Sequence, residues 1–307
     1  MKTRFHESPS VRIRRLTRYF EFEKILDIQR HVWKHDDEDL TPIHQFCITS
    51  RMGAILLGVY VGERLAGFVY SFPAVFNGKL IQHSHLLAVL PQYRGLGLGK
   101  RLKWAQRETA LKQGYDLISW TVDPLQARNA NLNIHALGAV TRTYLGDFYG
   151  RESALILGPG IPTDRFLMEW PIKEKRVEER RKNRFDRTDL TRPVKALERA
   201  AESGKIAPVG RKTPREKPEE AFIFPAKPRL GLDDRRILAE VPPDINRWRG
   251  KHEPIASWQA GLRRVFEHYF RQGYAVTDFV YGDRCFYVLD RRARRPSRSS
   301  RGRYHLV

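Results

Sequence analysis

The chain has 307 residues, with 56 Lys and Arg against 35 Asp and Glu, a formal charge of +21, and two cysteines. The length points to two domains, and Cys47 and Cys285 are too few for a disulfide framework. No C-x-x-C or clustered His suggests a metal, no apolar run reaches the length of a membrane span, and Met1 to Thr17 has no apolar signal core. A reduced, cytoplasmic protein without membrane partners is therefore expected. The basic balance raises contact with a polyanion.

In chain order, Val11 to Leu16 alternates apolar and basic residues, as a half-exposed strand does. Phe20, Ile25, Leu26, Ile28, Val32 and Trp33 mark an amphipathic helix. Ala54 to Val61 and Leu65 to Phe72 are apolar runs joined by Gly62-Glu63-Arg64, which predicts a hairpin. Leu80 to Leu90 predicts a longer strand, and Lys100 to Gln113 a helix that stops at Gly114. Leu117 to Val122 predicts a strand broken by Asp123-Pro124. A short helix around Ala130 to Leu137 ends at Gly138, and Ala139 to Tyr144 and Arg165 to Trp170 predict two further strands.

Between the long strand and its helix lies Gln92-Tyr93-Arg94-Gly95-Leu96-Gly97-Leu98-Gly99-Lys100. Strand, glycine-rich turn and helix start are what a backbone needs to hold a phosphate. Glycines let successive N–H groups face one concavity, and the helix start adds partial positive charge. A P-loop needs G-x-x-x-x-G-K-S/T, which the spacing before Lys100-Arg101 fails. A dinucleotide loop needs G-x-G-x-x-G, whereas Gly95, Gly97 and Gly99 alternate. The run instead satisfies Gln92-x-x-Gly95-x-Gly97, and so resembles the pyrophosphate loop of the GNAT superfamily of CoA-dependent N-acyltransferases. The bland alternative is a glycine-rich turn with no ligand.

The element order, β-α-β-β-β-loop-α-β-α-β-β, is also similar to that superfamily over residues 10–172. The resemblance implies an α/β (α+β) fold: a mixed, splayed sheet flanked by helices, with parallel strands parting on either side of the loop and its helix. A narrower resemblance rests on Ser84-His85-x-Leu87-x-Val89-Leu90-Pro91, Asp123-Pro124-Leu125-x-Ala127-Arg128-Asn129-Ala130 with Asn133, Leu137-Gly138-Ala139, Phe148-Tyr149-Gly150 and Asp164-Arg165-Phe166 with Glu169-Trp170. Near the C-terminus, Gly273-Tyr274-x-Val276-x-Asp278-Phe279-Val280 and Phe286 to Leu289 join it. These runs look like a branch described as predicted GNAT acyltransferases, some of them linked with N-acylation of amino acids, including N-succinylation.

The resemblance implies transfer of an acetyl, succinyl or other short acyl group from acyl-CoA, as co-substrate and with no metal, to an amine of a small molecule. Amine attack is direct, without a covalent enzyme intermediate. Backbone N–H groups of Arg94 to Lys100, including Gly95, Leu96, Gly97 and Gly99, would hold the pyrophosphate, with Gln92 opening the motif and Arg94 and Lys100 adding charge. Leu87 and Val89 would offer main-chain partners to pantetheine, and an N–H of that strand would polarise the thioester. Many relatives place a Glu on this strand as base. Here Gln82-His83-Ser84-His85 holds no acid, so His85 is the candidate base. Alternation places His83 and His85 on one face and Ser84 on the other. The tyrosine that many relatives carry four residues before a Gly-Phe pair falls on Ile134, between Asn133 and His135. Tyr149 is the candidate acid, with Tyr144 beside it, although packing on the sheet accounts for both. Asn129 either contacts CoA or caps the helix that follows. Asp164, Arg165 and Glu169 are candidates for the acceptor site, the arginine for a substrate carboxylate.

The expected organisation is a GNAT domain over 1–172, a charged helix and linker over 173–220, a small α/β piece over 221–290 and a basic tail over 291–307. Glu174 to Glu202 reads as solvated helix and Gly204 to Pro218 as linker. Ile237 to Val241, a helix over Ser257 to Gln272, and strands Tyr274 to Val280 and Arg284 to Asp290 echo the second half of a GNAT unit, without a second glycine loop. This piece either completes the acceptor pocket or mediates a homodimer. The arginine-rich tail reads as disordered and suits weak, nonspecific nucleic-acid contact. Two further readings stay open: a nucleic-acid- or protein-binding module on an altered GNAT scaffold, and an N-acetyltransferase acting on proteins.

Overall fold

A computed structural model describes residues 10–33, 39–150, 160–184, 188, 190, 193–200 and 222–291. The linker expected over Gly204 to Pro218 and the tail beyond Arg291 lie outside these residues. In chain order the elements are β1 (Val11–Arg15), α1 (Tyr19–Trp33), α2 (Ile43–Arg51), β2 (Ile55–Val61), β3 (Arg64–Phe76), β4 (Lys79–Val89), α3 (Leu98–Lys112), β5 (Leu117–Val122), α4 (Ala127–Ala130), β6 (Val140–Leu145), β7 (Arg165–Pro171), α5 (Lys175–Arg181), β8 (Val194–Leu197), β9 (Arg236–Val241), α6 (His252–Arg271), β10 (Tyr274–Val280) and β11 (Cys285–Arg291). The mixture of mainly antiparallel strands with flanking helices agrees with the α/β class read from the sequence.

The chain forms two compact units that interleave in sequence. The first takes the described residues up to Trp120 and returns for 169–184; the second takes 121–168 and those from 188 onward. In the first unit, β1, β2, β3 and β4 pair antiparallel in that order, and β5 joins β4 in parallel. The β2–β3 hairpin turns at Gly62, whose positive φ of 59° suits glycine. Phe22, Ile25 and Ile28 of α1 and Phe46 of α2 cluster with Leu56, Phe68 and Tyr70 of the sheet. Gly67 lets β3 and β4 approach: a Cβ there would sit 2.4 Å from the carbonyl oxygen of Ala88.

In the second unit the strand order is β6-β10-β11-β9-β8. The α6 residues Ile255, Trp258, Leu262, Val265, Phe266 and Tyr269 fall on one helical face and are buried. Phe166, Phe266 and Tyr287 pack edge-to-face at ring-centroid distances of 4.6–5.4 Å.

Four local expectations need correction. Helix α3 starts at Leu98, two residues before Lys100, because Gly97 takes the left-handed conformation that ends the loop. Helix α6 starts at His252, not Ser257. The short helix is α4 followed by a π-helical stretch over Asn131–Ala136. In the charged stretch after Glu174 only α5 is helical among the described residues; Val194–Leu197 pairs with β9 in parallel because Ala196 and Leu197 find buried positions.

Candidate active site

The glycine run takes the shape its composition predicts. Pro91–Tyr93 forms a single 3-10 turn, Gly95 and Gly97 adopt φ of 85° and 70°, and α3 begins at once. A Cβ added at either glycine would meet nothing within 4 Å. Glycine is used here for its backbone conformation and leaves open space above the loop. No side chain caps α3. Among the described residues, none of the main-chain N–H groups from Gly95 to Lys100 has a protein acceptor. The orphan N–H groups of this helix start are left to solvent. Gln92, Arg94 and Leu96 are exposed around it, and the Arg94 Nε reaches back to the Val89 carbonyl at 3.4 Å.

Strand β4 delivers the chain to this loop and opens as it does so. Its parallel pairing with β5 covers Gln82↔Ile118 and His83↔Ser119 and ends there. From Ser84 to Val89, the stretch that holds Leu87 and Val89, β4 is paired with β3 alone. The β3–β4 register also slips: Tyr70 faces Leu86 but Ser71 faces Ser84, leaving His85 as the extra residue of a bulge. Ser119, opposite His83, has a buried hydroxyl without a hydrogen-bond partner.

The two faces of β4 differ as alternation predicts. On one, His83 and His85 lie 6.3 Å apart by ring centroid, with Phe72 5.4 and 5.8 Å from them and Tyr70 6.1 Å from His85. Thr41 Oγ1 is 3.4 Å from His85 Nε2. His85 keeps part of its ring in solvent, yet the rings around it withdraw water, and this burial pulls its pKa below the usual imidazole value. Burial, then repulsion from His85 and Lys103, pushes His83 down to about 4. Both imidazoles are neutral at pH 7 and able to accept a proton.

On the opposite face, Ser84 meets a buried network that the sequence reading missed. Lys103 Nζ donates to Ser84 Oγ at 3.0 Å and to Gln106 Oε1 at 2.7 Å, and stands 3.8 Å over the Trp120 ring. Burial pulls the ammonium pKa well down, while the ring face and the acceptors favour the cation. The signal available was the position of Lys103 beside Leu102 on the sheet-facing side of α3.

In the second unit, Asn129 lies inside α4 and is exposed; the residue at the cap position is Gln126, so the capping alternative for Asn129 does not hold. Tyr149 is 48% exposed, its hydroxyl 3.0 Å from Thr121 Oγ1 and its ring under the Arg165 guanidinium. Tyr144 donates to Asp164 Oδ2 at 2.6 Å, and burial with the Asp164 charge pushes its phenol far above the usual value, so it is held as structure. Asp164 also accepts from both Arg263 Nε and Nη2 and from the Asp147 N–H. It has no capacity left for an acceptor substrate. Arg165 is buried and donates to the Asp164 carbonyl at 2.8 Å. Glu169, in the first unit, is half-buried. The residue before the missing tyrosine position, Asn133, is buried, and the one after it, His135, pairs with Asp278 at 3.1 Å.

Residues 19–136 match the model of the acetyltransferase (GNAT) family. The chain is similar at 16% identity to the ribosomal-protein-S18-alanine N-acetyltransferase from Escherichia coli, over 54% of this chain and 96% of that one, with a TM-score of 0.42. It is similar at 16% to yncA from Salmonella typhimurium, solved with its cofactor acetyl-CoA, over 59% and 99%, TM-score 0.43. It is similar at 18% to the paia N-acetyltransferase from Thermoplasma acidophilum solved with coenzyme A, over 53% and 99%, TM-score 0.38. No curated protein matches the chain in sequence. Among the described residues, no group of three His, Cys, Asp or Glu is placed to hold a metal, and no helix is long and apolar enough to cross a membrane.

Proposed function

We propose that the protein transfers an acetyl, succinyl or other short acyl group from acyl-CoA to the amine of a small molecule, with amino acids the first acceptors to consider. The observation that carries this reading is the set of unpartnered N–H groups from Gly95 to Lys100, reached by a β4 strand whose β5 side is unpaired beyond His83. The pyrophosphate of CoA would take those donors, with Arg94 and Lys100 adding charge. Main-chain groups of Leu87 and Val89 lie on the β4 edge that β5 leaves unpaired, which pantetheine would take, and Asn129, exposed on α4, would contact CoA as the family resemblance implies. His85, neutral at pH 7, takes the proton of the attacking amine, and an N–H of β4 polarises the carbonyl. Tyr149, with its exposed phenol, returns a proton to the departing thiolate.

The test is a thioester-consumption screen with acetyl-CoA and succinyl-CoA against amino acids and polyamines, repeated with His85→Ala. Turnover with one donor and one acceptor class is expected. The variant should lower kcat by about a hundredfold or more, as loss of a general base does, with CoA affinity nearly unchanged. No consumption with any pair, or a variant with a near-normal pH–rate profile, overturns the acceptor class or the role of His85 respectively.

A further inference from the structure

The second unit has a cleft of its own, about 480 Å³, between α4, the segment after β9, α6 and the β10–β11 turn. That volume lies in the range of small-molecule sites. Its lining sorts by how fully each polar group is used. Glu240, 1% exposed, is saturated: it accepts from Arg199 Nε at 2.6 Å, the Arg199 N–H at 2.9 Å, and Arg284 Nε and Nη2 at 3.0 and 2.5 Å. Two guanidinium groups share this carboxylate, and Arg284 also reaches Glu198 at 3.8 Å, so these groups are committed to one another.

Two further guanidinium groups stand at the cleft with donors to spare. Arg128, exposed on α4, is favoured as a cation by the Tyr281 phenol and the Asp244 charge, and among the described residues no carboxylate lies within ion-pair distance of it. Arg247 Nε stands 3.7 Å from Asp244 Oδ2, a long single contact, while Asp244 Oδ1 accepts from the Asn246 N–H. Beside these cations lie flat surfaces: Trp248, nearly buried with the Phe222 ring against it at 6.2 Å, and Tyr281, 43% exposed. Free planar donors next to aromatic faces are the chemistry that recognises an anion with a flat apolar body.

We propose that this cleft is a second binding site, for a small organic anion, a carboxylate or phosphate ester, with a planar apolar portion. Arg128 and Arg247 hold the anion, and Trp248 and Tyr281 cover the body. The site belongs wholly to the second unit, and it stands whether or not the glycine loop of the first unit binds CoA.

Fluorine NMR of the full chain labelled with fluorotryptophan tests it, with Trp248→Phe identifying the Trp248 signal. Benzoate and phenyl phosphate are the probes and neutral benzamide the control. Both anions, or the better of them, should shift the Trp248 signal saturably while benzamide does not; the tighter of the two identifies the anion class. Arg128→Gln should weaken that binding about tenfold or more, as loss of a charge-assisted pair does, with the remaining tryptophan signals in place as the check of folding. Excess CoA should leave the bound probe undisturbed. No saturable shift, an equal response to benzamide, an unchanged affinity in Arg128→Gln, or displacement by CoA each overturns the proposal.

Discussion

The glycine loop and the Asp164 cluster are both dense in polar groups, and they treat those groups in opposite ways. Around Asp164 the polar groups are turned inward: the phenol of Tyr144, two nitrogens of Arg263 and the Asp147 N–H converge on one buried carboxylate. In the loop, consecutive N–H groups from Gly95 to Lys100 donate to nothing in the protein. An unmade buried hydrogen bond costs a folded chain about 1–3 kcal/mol, whereas a solvent-exposed one is satisfied by water. The loop leaves its donors on an open surface, where water holds them and where the proposed pyrophosphate would replace it. The same contrast separates the glycines. Gly67 is glycine because a Cβ would strike the Ala88 carbonyl, while Gly95 and Gly97 have open space in the Cβ direction. A saturated polar group marks architecture; an unsaturated one on a built surface marks a place for a ligand.

The largest effect that follows belongs to the saturated side. Asp164→Ala should destabilise the fold by about 3–5 kcal/mol, because it strands the Arg263 guanidinium and the Tyr144 hydroxyl together. Chemical denaturation reads this directly. A loss below about 1 kcal/mol would mean that the cluster is not the structural element its geometry makes it.

The loop should answer in the reverse sense. Gly97→Glu puts a side chain at a φ of 70°, which costs stability only about 1–2 kcal/mol. It also brings a carboxylate to the proposed phosphate cradle, where like-charge repulsion should weaken CoA at least about a hundredfold. Calorimetric titration with CoA, alongside a denaturation midpoint, separates the two numbers. Unchanged CoA affinity would remove the loop from the proposed site.

What could be read from sequence divides along similar lines. The glycine run was legible because its chemistry is local: nine consecutive residues set the turn, the helix start and the free donors. The β2–β3 hairpin and α6 were legible from apolar spacing that matches their burial. Helix α2 was not, since Phe46 is the one fully buried residue among its nine. The role of Asp164 was hidden because its main partner, Arg263, lies 99 residues away. The bulge at His85 was hidden for a related reason: it is a mismatch with β3, and nothing in the β4 sequence alone records it.

The two histidines of β4 give the smallest and most conditional prediction, since they stand between the two categories. Their rings face the open side of the strand, yet neighbouring aromatics strip away enough water to favour the neutral form. His83 is held at about 4 in the folded chain against an ordinary 6.5. A depressed imidazole means that the unfolded chain binds the proton first as pH falls. The neutral His83 therefore lends stability that is complete above about pH 6.5 and drains away between there and pH 4. From pH 7 to pH 5 this one group should cost about 1–2 kcal/mol. His83→Gln removes the titration, so its denaturation midpoint should fall less over that interval than that of the parent chain. An identical fall in both would mean that His83 is as well solvated folded as unfolded, and that the open face of β4 is wetter than its ring contacts imply. His85, whose pKa burial also lowers, would then sit in that same wetter surface and lose the desolvation that keeps it neutral.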